Sequence, residues 1–451
     1  MGLNPQLFGT DGVRGLAGAY PLDRKTVAKL GGALGKVLAD QSQSRRPEVV
    51  LGNDTRESSP WIARALGGGL QASGAAVAYA GITTTPGVAF ITRHHGFAAG
   101  VMVSASHNPF QDNGIKVFSG AGMKLAEEVE IEIERVLPLQ REKVEDAKLA
   151  VIPGLLDEYA EFLEPLAARS VNGHGPRLVV DCGNGSASIV APPLLRRFGI
   201  SARLINAEPD GRNINLNSGS LYPQAMAEAT QASGADLGVA FDGDADRAIF
   251  ATPSGRVLDG DHVLFAVAPH MKRLSILKED GVVGTLMTNF GLELALNSFG
   301  IALKRSAVGD RFVLEEMIRS GMNLGGEPSG HIIFMDVSPA GDGLVTLLQM
   351  LRLLAETGKS ADDLVTGYTP FPQLIRNVAV RKKLPLESIP EVTGAIARCE
   401  ADMKGRGRVV LRYSGTEPLA RVMVEGERAA SVERHAAEIA AAIEKAVGLH
   451  A

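Results

Sequence analysis

The segment from Leu237 to Arg247 reads LGVAFDGDADR, an apolar run that stops at three alternating aspartates. An uninterrupted apolar run of this length is typical of a strand that is buried on both faces. A polar, glycine-containing loop directly after such a strand is typical of α/β sheets, whose ligands usually bind beyond the carboxyl ends of the strands. The segment therefore predicts an α/β fold with a functional loop at residues 242–247.

The same pattern recurs along the chain. Apolar runs at residues 49–51, 100–103 and 178–180 each end at a polar loop, and a helical pattern follows the first of them near 61–70. Composition shifts near residues 150, 255 and 368 indicate boundaries, and the last block has an α+β character. We therefore expect three α/β domains and one smaller α+β domain, at residues 1–150, 151–255, 256–367 and 368–451.

The composition is that of a folded protein. The 451 residues are 45% hydrophobic and 22% charged, which excludes disorder as the main state. Glycine supplies 52 residues, about 11.5% against a usual share of about 7%, which predicts many tight turns. The net charge of −5 without a long basic run argues against nucleic acid as a partner. Two cysteines and the lack of a long apolar segment predict a cytoplasmic protein without a membrane span.

The acidic loop is a candidate metal site. Three carboxylates this close together repel one another unless a cation joins them, and oxygen ligands favour Mg²⁺ or Mn²⁺. An EF-hand is excluded, because Arg247 stands where its sixth position needs glycine and Pro253 where its twelfth needs glutamate. The alternative is a solvated acidic turn, which the preceding buried-type strand disfavours.

A serine loop follows the run at 100–103. It reads SASHNP from Ser104 to Pro109 and continues to Lys116. A serine at the end of a strand can be a nucleophile, but Ser, Asn and Pro also favour turns, and a plain turn is at least as good an interpretation from these residues alone. His107 and Lys116 could move protons or balance phosphate charge, although either alone is more often a surface residue.

Two further loops carry polar groups. Arg412 to Pro418, with Arg421, places two guanidinium groups around hydroxyls and a glycine, which suits phosphate, and a β-turn is the alternative. The loop from Gly326 to His331 offers an acid, a hydroxyl and an imidazole, and is equally well explained as a charged turn. The chain has no P-loop, only a weak dinucleotide-binding signal and no zinc-type spacing of Cys and His.

Taken together, these segments resemble the motifs of the α-D-phosphohexomutases, and most closely the members that act on glucosamine phosphates. The motifs occur in the family's order over nearly the whole chain, at residues 8–15, 85–87, 104–116, 181–185, 241–247, 309–311, 326–331 and 412–418. The resemblance implies four domains around a central cleft: three related mixed α/β units and a smaller C-terminal α+β domain of the TATA-binding-protein-like type.

The resemblance also implies the chemistry. Ser106 is implied as the serine that carries phosphate in the working enzyme. Asp242, Asp244 and Asp246, with an oxygen of that phosphoserine, are implied as the ligands of one Mg²⁺.

Proton transfer and charge balance are assigned in the same way. Lys116 is implied as the proton-handling residue, and His107 lies with it in the serine loop. Arg14 and Arg247 are implied as nearby cations, and His331 is implied to assist proton transfer.

Substrate recognition is assigned to the last two motifs. Glu327 and Ser329 are implied as readers of the sugar hydroxyls. The clamp for the non-reacting phosphate is implied to consist of Arg412, Ser414, Gly415, Thr416 and Arg421. Two positions depart from the family pattern, Pro328 in the sugar loop and Ser218, where many relatives have Gln and Cys respectively. Neither position touches the proposed chemistry, and only Pro328 bears on the sugar specificity.

The expected activity is conversion of glucosamine 6-phosphate to glucosamine 1-phosphate through glucosamine 1,6-bisphosphate, which also serves as a primer. This reaction would feed the synthesis of UDP-N-acetylglucosamine and of cell-wall peptidoglycan precursors. A phosphoglucomutase or phosphomannomutase is the nearest alternative. An aspartyl phosphatase with Asp242 as nucleophile, and a silent sugar-phosphate-binding protein, are alternatives of other classes. The expected partner is a small sugar phosphate, with neither nucleic acid nor membrane, and the resemblance also implies a homodimer.

Overall fold

The computed structural model describes residues 7–42, 46–141, 144–170, 175–414 and 418–449, and their strands form four sheets. The first three sheets mix parallel and antiparallel strands, and the last one is antiparallel throughout. The prediction of three α/β units and a C-terminal α+β unit is therefore confirmed. Within the described ranges, no helix combines the length and the apolar character that crossing a membrane requires.

The first unit contains strands Val13–Leu16 (β1), Glu48–Asn53 (β2), Ala76–Ile82 (β3), Ala99–Val103 (β4) and Asp112–Ser119 (β5). Their order is β1-β5-β4-β2-β3, with β2 parallel to β3 and β4, and β5 antiparallel to β4 and β1. Its helices are Arg24–Ser42 (α1), Ser59–Ala72 (α2), Thr85–His95 (α3) and Glu127–Val136 (α4). Helix α3 begins where the Thr84 side chain accepts a hydrogen bond from Gly87 N, and it ends at Gly96 in the left-handed conformation.

The second unit repeats this design. Helix Leu155–Ala167 (α5) leads into strands Arg177–Asp181 (β6), Ser201–Ile205 (β7), Leu237–Phe241 (β8), Ala248–Ala251 (β9) and Val257–Leu258 (β10). Their order is β10-β9-β8-β6-β7, with β6 parallel to β7 and β8, and β9 antiparallel to β8. The helices between them are Ala187–Arg197 (α6) and Gln224–Ser233 (α7).

The third unit has strands Gly281–Thr285 (β11), Ala302–Ser306 (β12), Leu324–Gly326 (β13) and Ile332–Phe334 (β14), in the order β12-β11-β13-β14. Only β14 pairs antiparallel. The helices are Gly260–Arg273 (α8), Phe290–Asn297 (α9), Asp310–Ser320 (α10), Gly343–Thr357 (α11) and Ala361–Leu364 (α12).

The C-terminal unit is an antiparallel sheet covered by two helices. Its strands are Gln373–Ala379 (β15), Gly407–Tyr413 (β16) and Leu419–Gly426 (β17), with β17 in the centre. Helices Pro390–Met403 (α13) and Ala429–Val447 (α14) pack on it over a core of their own. A separate apolar core runs through the first three units.

The three α/β units present equivalent loops. In each unit a central strand is followed by a loop and then by its antiparallel neighbour: β4 and β5, β8 and β9, β13 and β14. These loops contain, in turn, the predicted serine loop, the acidic loop and the sugar loop, at residues 104–111, 242–247 and 327–331. The repeated topology therefore explains why the three motifs are located beyond strand ends.

Candidate active site

The three aspartates of the acidic loop form a compact cluster, called here the acidic triad. One carboxylate oxygen from each of Asp242, Asp244 and Asp246 lies within 4.8 Å of the others, and all three residues are buried. Ala245 between them has a φ of 56°, an uncommon left-handed conformation that turns the loop so that alternate side chains converge.

The charges of the triad fit a divalent cation. Asp244 Oδ1 and Asp246 Oδ1 are buried and receive no hydrogen bond from the described residues. Burial and the adjacent carboxylates raise the pKa of Asp242 well above its ordinary value. Buried carboxylate oxygens that receive no hydrogen bond are costly, and a hard cation bound by oxygen ligands removes that cost. The triad can therefore bind a metal ion.

Ser106 lies directly against the triad. Its Oγ donates a 2.5 Å hydrogen bond to Asp242 Oδ2 and lies 3.3 Å from His107 Nδ1. Ser106 is fully buried and has a φ of 51°, a strained conformation of the kind found at functional sites. Gly243 makes this approach feasible, because a Cβ there would be 2.5 Å from the Ser106 carbonyl oxygen.

Arg56, to which the sequence analysis assigned no role, organises the serine loop. Its buried guanidinium pairs with Asp54 at 2.8 Å and donates to four carbonyl oxygens, those of Ser106, Asn108, Pro109 and Asp112. Asn215 of the second unit donates to two of the same carbonyls. Arg56 comes shortly after the end of β2. The tendency of functional groups to follow strand ends could therefore have indicated Arg56 from the sequence.

Lys116 reaches the triad from β5. Its Nζ donates to Asp244 Oδ2 at 2.8 Å and to Asp246 Oδ2 at 3.1 Å. Burial favours the neutral amine, but the surrounding carboxylates outweigh it and hold the pKa of Lys116 well above its ordinary value. In this arrangement Lys116 is an ammonium that can donate a proton, and it can accept one only after these ion pairs loosen.

His107 is held in one neutral form. Arg247 Nη1 lies 2.9 Å from His107 Nδ1, and because a guanidinium only donates, Nδ1 is the acceptor and the ring proton lies on Nε2. Burial and the positive charges of Arg247 and Arg14 lower the pKa of His107 to about 4. The imidazole is therefore uncharged near neutral pH.

The loop after β13 contributes Glu327, Ser329 and His331. Glu327 Oε1 accepts from Gly309 N at 3.1 Å, and Ser329 Oγ is buried without a hydrogen bond to a described residue. His331 Nδ1 lies 3.7 Å from Asp246 Oδ1. Burial opposes the charged ring, but the Asp246 carboxylate raises the pKa of His331 to about 9.

A cavity of about 430 Å³, called here the cleft, brings residues of the three α/β units together. Its wall includes Arg14, His107, Asp246, Arg247, Glu327 and His331. A cluster of cations around a carboxylate-rich centre suits an anionic ligand, and the polar loop beside it suits hydroxyl groups.

The predicted phosphate clamp lies on the C-terminal sheet, outside the cleft wall. Arg412 and Arg421 are opposite each other in the register of β16 and β17, and Ser414 O accepts from Lys383 Nζ at 2.5 Å. Arg412 lines a separate cavity of about 590 Å³ together with Lys383. Gly415 and Thr416 lie outside the described residues.

Sequence profiles of one family match the chain in four consecutive parts. Those of phosphoglucomutase/phosphomannomutase alpha/beta/alpha domains I, II and III match residues 5–143, 157–255 and 259–371, and that of the C-terminal domain matches residues 375–442.

Individual proteins are similar over the full length. A protein named phosphoglucosamine mutase from Koribacter versatilis is 49% identical, with 98% of each chain covered. A phosphoglucomutase/phosphomannomutase family protein from Burkholderia thailandensis has a similar fold, with a TM-score of 0.78, 23% identity and coverage of 98% and 97%. The N-acetylphosphoglucosamine mutase of Aspergillus fumigatus, solved with GlcNAc-6P and magnesium, matches with a TM-score of 0.68, 19% identity and coverage of 98% and 96%.

Proposed function

The chain belongs to the phosphoglucomutase/phosphomannomutase family, and we propose that it interconverts glucosamine 6-phosphate and glucosamine 1-phosphate. The observation that carries the proposal is the 2.5 Å hydrogen bond from Ser106 Oγ to Asp242 inside a buried acidic triad. A serine held at this position is placed to carry a phosphoryl group beside a cation.

The proposed reaction has two phosphoryl transfers. Phosphoserine at Ser106 donates its phosphoryl group to the free hydroxyl of the sugar phosphate, so that the bond from Ser106 Oγ to phosphorus breaks as the bond to the sugar oxygen forms. The glucosamine 1,6-bisphosphate then turns over and returns its other phosphoryl group to Ser106. Such transfers depend on positioning and on neutralising the charge of the phosphoryl oxygens.

The residues around Ser106 supply that charge balance and the proton movements. Lys116, an ammonium paired with Asp244, would donate a proton to the departing serine oxygen, and the amine so formed would accept the proton of the attacking sugar hydroxyl. Arg247 fixes His107 beside Ser106 and adds positive charge, as Arg14 does at the cleft wall. His331, a cation near Asp246, assists proton transfer.

The acidic triad and an oxygen of phosphoserine would hold Mg²⁺. When bound, this ion neutralises charge that develops on the phosphoryl oxygens. Glu327, which lines the cleft, would bind the sugar hydroxyls together with Ser329 of the same loop. The C-terminal unit, with Arg412, Ser414 and Arg421, would close over the phosphate that does not react. A homodimer in the cytoplasm remains part of the proposal.

The deciding experiment compares glucosamine, glucose and mannose 6-phosphates side by side, with the matching 1,6-bisphosphate as primer. The proposal expects the highest kcat/KM for the glucosamine pair. A clear preference for glucose or mannose phosphates would contradict it and favour the nearest alternative.

Phosphate release separates the mutase from the aspartyl phosphatase. The phosphatase would use Asp242 as its nucleophile, whereas here Asp242 Oδ2 accepts the hydrogen bond from Ser106 Oγ. We expect sugar 1-phosphate to form with almost no inorganic phosphate, because the cleft would exclude water once the C-terminal unit closes over it. Stoichiometric phosphate release would overturn the mutase assignment.

A further inference from the structure

Lys124 lies beside the active site without lining the cleft. It forms a β-bridge with Phe118, which brings it next to the strand that carries Lys116. Its side chain points into a second cavity of about 390 Å³ between the first and third units. Asp246, Asp310 and His331 line both this second cavity and the cleft, and so form the partition between them.

The ammonium of Lys124 bridges carboxylates of two units. Its Nζ donates to Asp310 Oδ1 at 2.7 Å and makes a close ion pair with Asp11 Oδ1. The side chain is 17% exposed, so these ion pairs are only weakly screened by solvent. The carboxylates in turn contact the active site: Asp11 Oδ2 is 3.4 Å from Lys116 Nζ, and Asp310 Oδ2 is 3.8 Å from His331 Nε2.

These contacts close into a ring of alternating basic and acidic side chains, called here the charge ring. In order around the ring, its members are Lys116, Asp11, Lys124, Asp310, His331 and Asp246, with Asp246 returning to Lys116 at 3.1 Å. The members come from all three α/β units.

We propose that Lys124 is a positioning residue for phosphoryl transfer, which acts through Asp11 on Lys116 and through Asp310 on His331. Each of these carboxylates is shared between Lys124 and cations of the active site: Asp11 also pairs with Lys116 and Arg14, and Asp310 lies near His331. Without Lys124, the two carboxylates lose their common cation and rearrange towards Lys116 and His331. A displacement of about 1 Å in a catalytic group can cost a hundredfold in rate.

The test compares Lys124→Met, which keeps the length of the side chain and removes the charge, with Lys124→Arg, which keeps the charge. We expect Lys124→Met to lower kcat at least about tenfold while KM for the sugar phosphate stays within about twofold. Lys124→Arg should recover most of the lost kcat. The half-saturating Mg²⁺ concentration should be nearly unchanged, since Lys124 contacts none of the triad.

Arg311→Met is the matched control. Arg311 also joins the third unit to the first, through Glu130 at 3.2 Å, but it lies outside the charge ring. If Lys124 only links the two units, both variants should lower the melting temperature and kcat alike. That result would overturn the proposal. The proposal expects a similar effect on melting but a loss of kcat only in Lys124→Met.

A double variant measures how far Lys124 acts through Asp310. If Lys124 acts partly through Asp310, the double variant Lys124→Met, Asp310→Asn should have a kcat higher than the product of the two separate effects predicts. Strict additivity would contradict the proposal. The inference rests on the proposed function, but the variants are compared on whichever hexose phosphate the wild type converts. If the substrate assignment is wrong, the wild type prefers another hexose phosphate. If the inference on Lys124 is wrong, Lys124→Met keeps the kcat of the wild type.

Discussion

Thr85 Oγ1 donates a 2.5 Å hydrogen bond to Asp244 Oδ2, and Thr85 N donates to the Asp244 carbonyl oxygen at 3.0 Å. Both residues are buried, and they belong to different α/β units. Thr85 is the first residue of α3, so the start of a helix in the first unit fixes the orientation of one carboxylate in the triad of the second. Partners of this kind usually tune the affinity of a metal site.

Thr85→Val should weaken the metal site. Valine keeps the branched shape but removes the hydroxyl, so the Asp244 carboxylate loses one of the two side chains that orient it and keeps only its hydrogen bond from Lys116. We expect the half-saturating Mg²⁺ concentration to rise about tenfold, measured by titrating Mg²⁺ into the chelated enzyme. Thr83→Val is the control, because Thr83 is equally buried and its Oγ1 has no hydrogen-bond partner among the described residues. Equal Mg²⁺ dependence in Thr85→Val and the wild type would refute this role.

Ser106, and not Ser104, should carry phosphate in active protein. Ser104 Oγ is already committed, since it donates to Asp54 Oδ2 at 2.7 Å and accepts from Ser106 N at 3.0 Å. Intact mass and peptide mapping should show one phosphate on Ser106, and Ser106→Ala should abolish mutase activity. Full activity in Ser106→Ala would contradict the assignment of Ser106 as the phosphorylated serine. Ser104→Ala should retain the phosphate but have a lower kcat, because the serine loop loses the hydrogen bond from Ser104 to Asp54.

The sequence was most informative where one local pattern determines one local structure. The apolar run at residues 237–241 forms strand β8, and the loop directly after it carries the acidic triad, as the pattern predicts. Edge strand β12 contains Lys304 and Arg305, so its apolar pattern is too weak to indicate a strand. The pairs Thr85–Asp244 and Lys124–Asp310 join residues more than 150 positions apart, and no local rule predicts such contacts.

Asp342 should make stability depend on pH. It begins α11, accepting from Leu344 N at 2.9 Å and Val345 N at 3.1 Å, and it also accepts from the Tyr159 hydroxyl at 2.7 Å. Burial raises the pKa of Asp342 from 3.8 to about 6. A folded-state pKa above the unfolded value means that the stabilisation is complete below pH 3.8 and is lost as pH rises through about 6.

The measurement is the melting temperature between pH 4 and pH 8. We expect the wild type to lose more stability than Asp342→Asn over this range, by up to about 3 kcal/mol. Tyr159→Phe removes a hydrogen bond that lowers this pKa, so the loss should move to higher pH. Parallel pH profiles of the wild type and Asp342→Asn would show that Asp342 titrates normally.

Arg412→Lys should weaken the proposed clamp on the non-reacting phosphate. A guanidinium can bind phosphate through two parallel hydrogen bonds, and a lysine keeps the charge but not that geometry. One lost charged hydrogen bond is worth about 1.5–3 kcal/mol, so kcat/KM should fall about ten- to a hundredfold.

Phosphorylation of Ser106 by glucosamine 1,6-bisphosphate should slow as well, because the clamp binds the distal phosphate whichever end reacts. Mg²⁺ binding should stay the same, since the triad lies in another unit. Arg406→Lys is the control: Arg406 precedes β16 and pairs with Glu427, which follows β17, at 2.8 Å on the exposed surface, so its replacement should leave the kinetics unchanged. Near-normal kinetics in Arg412→Lys would mean that Arg412 serves only the local structure of β16.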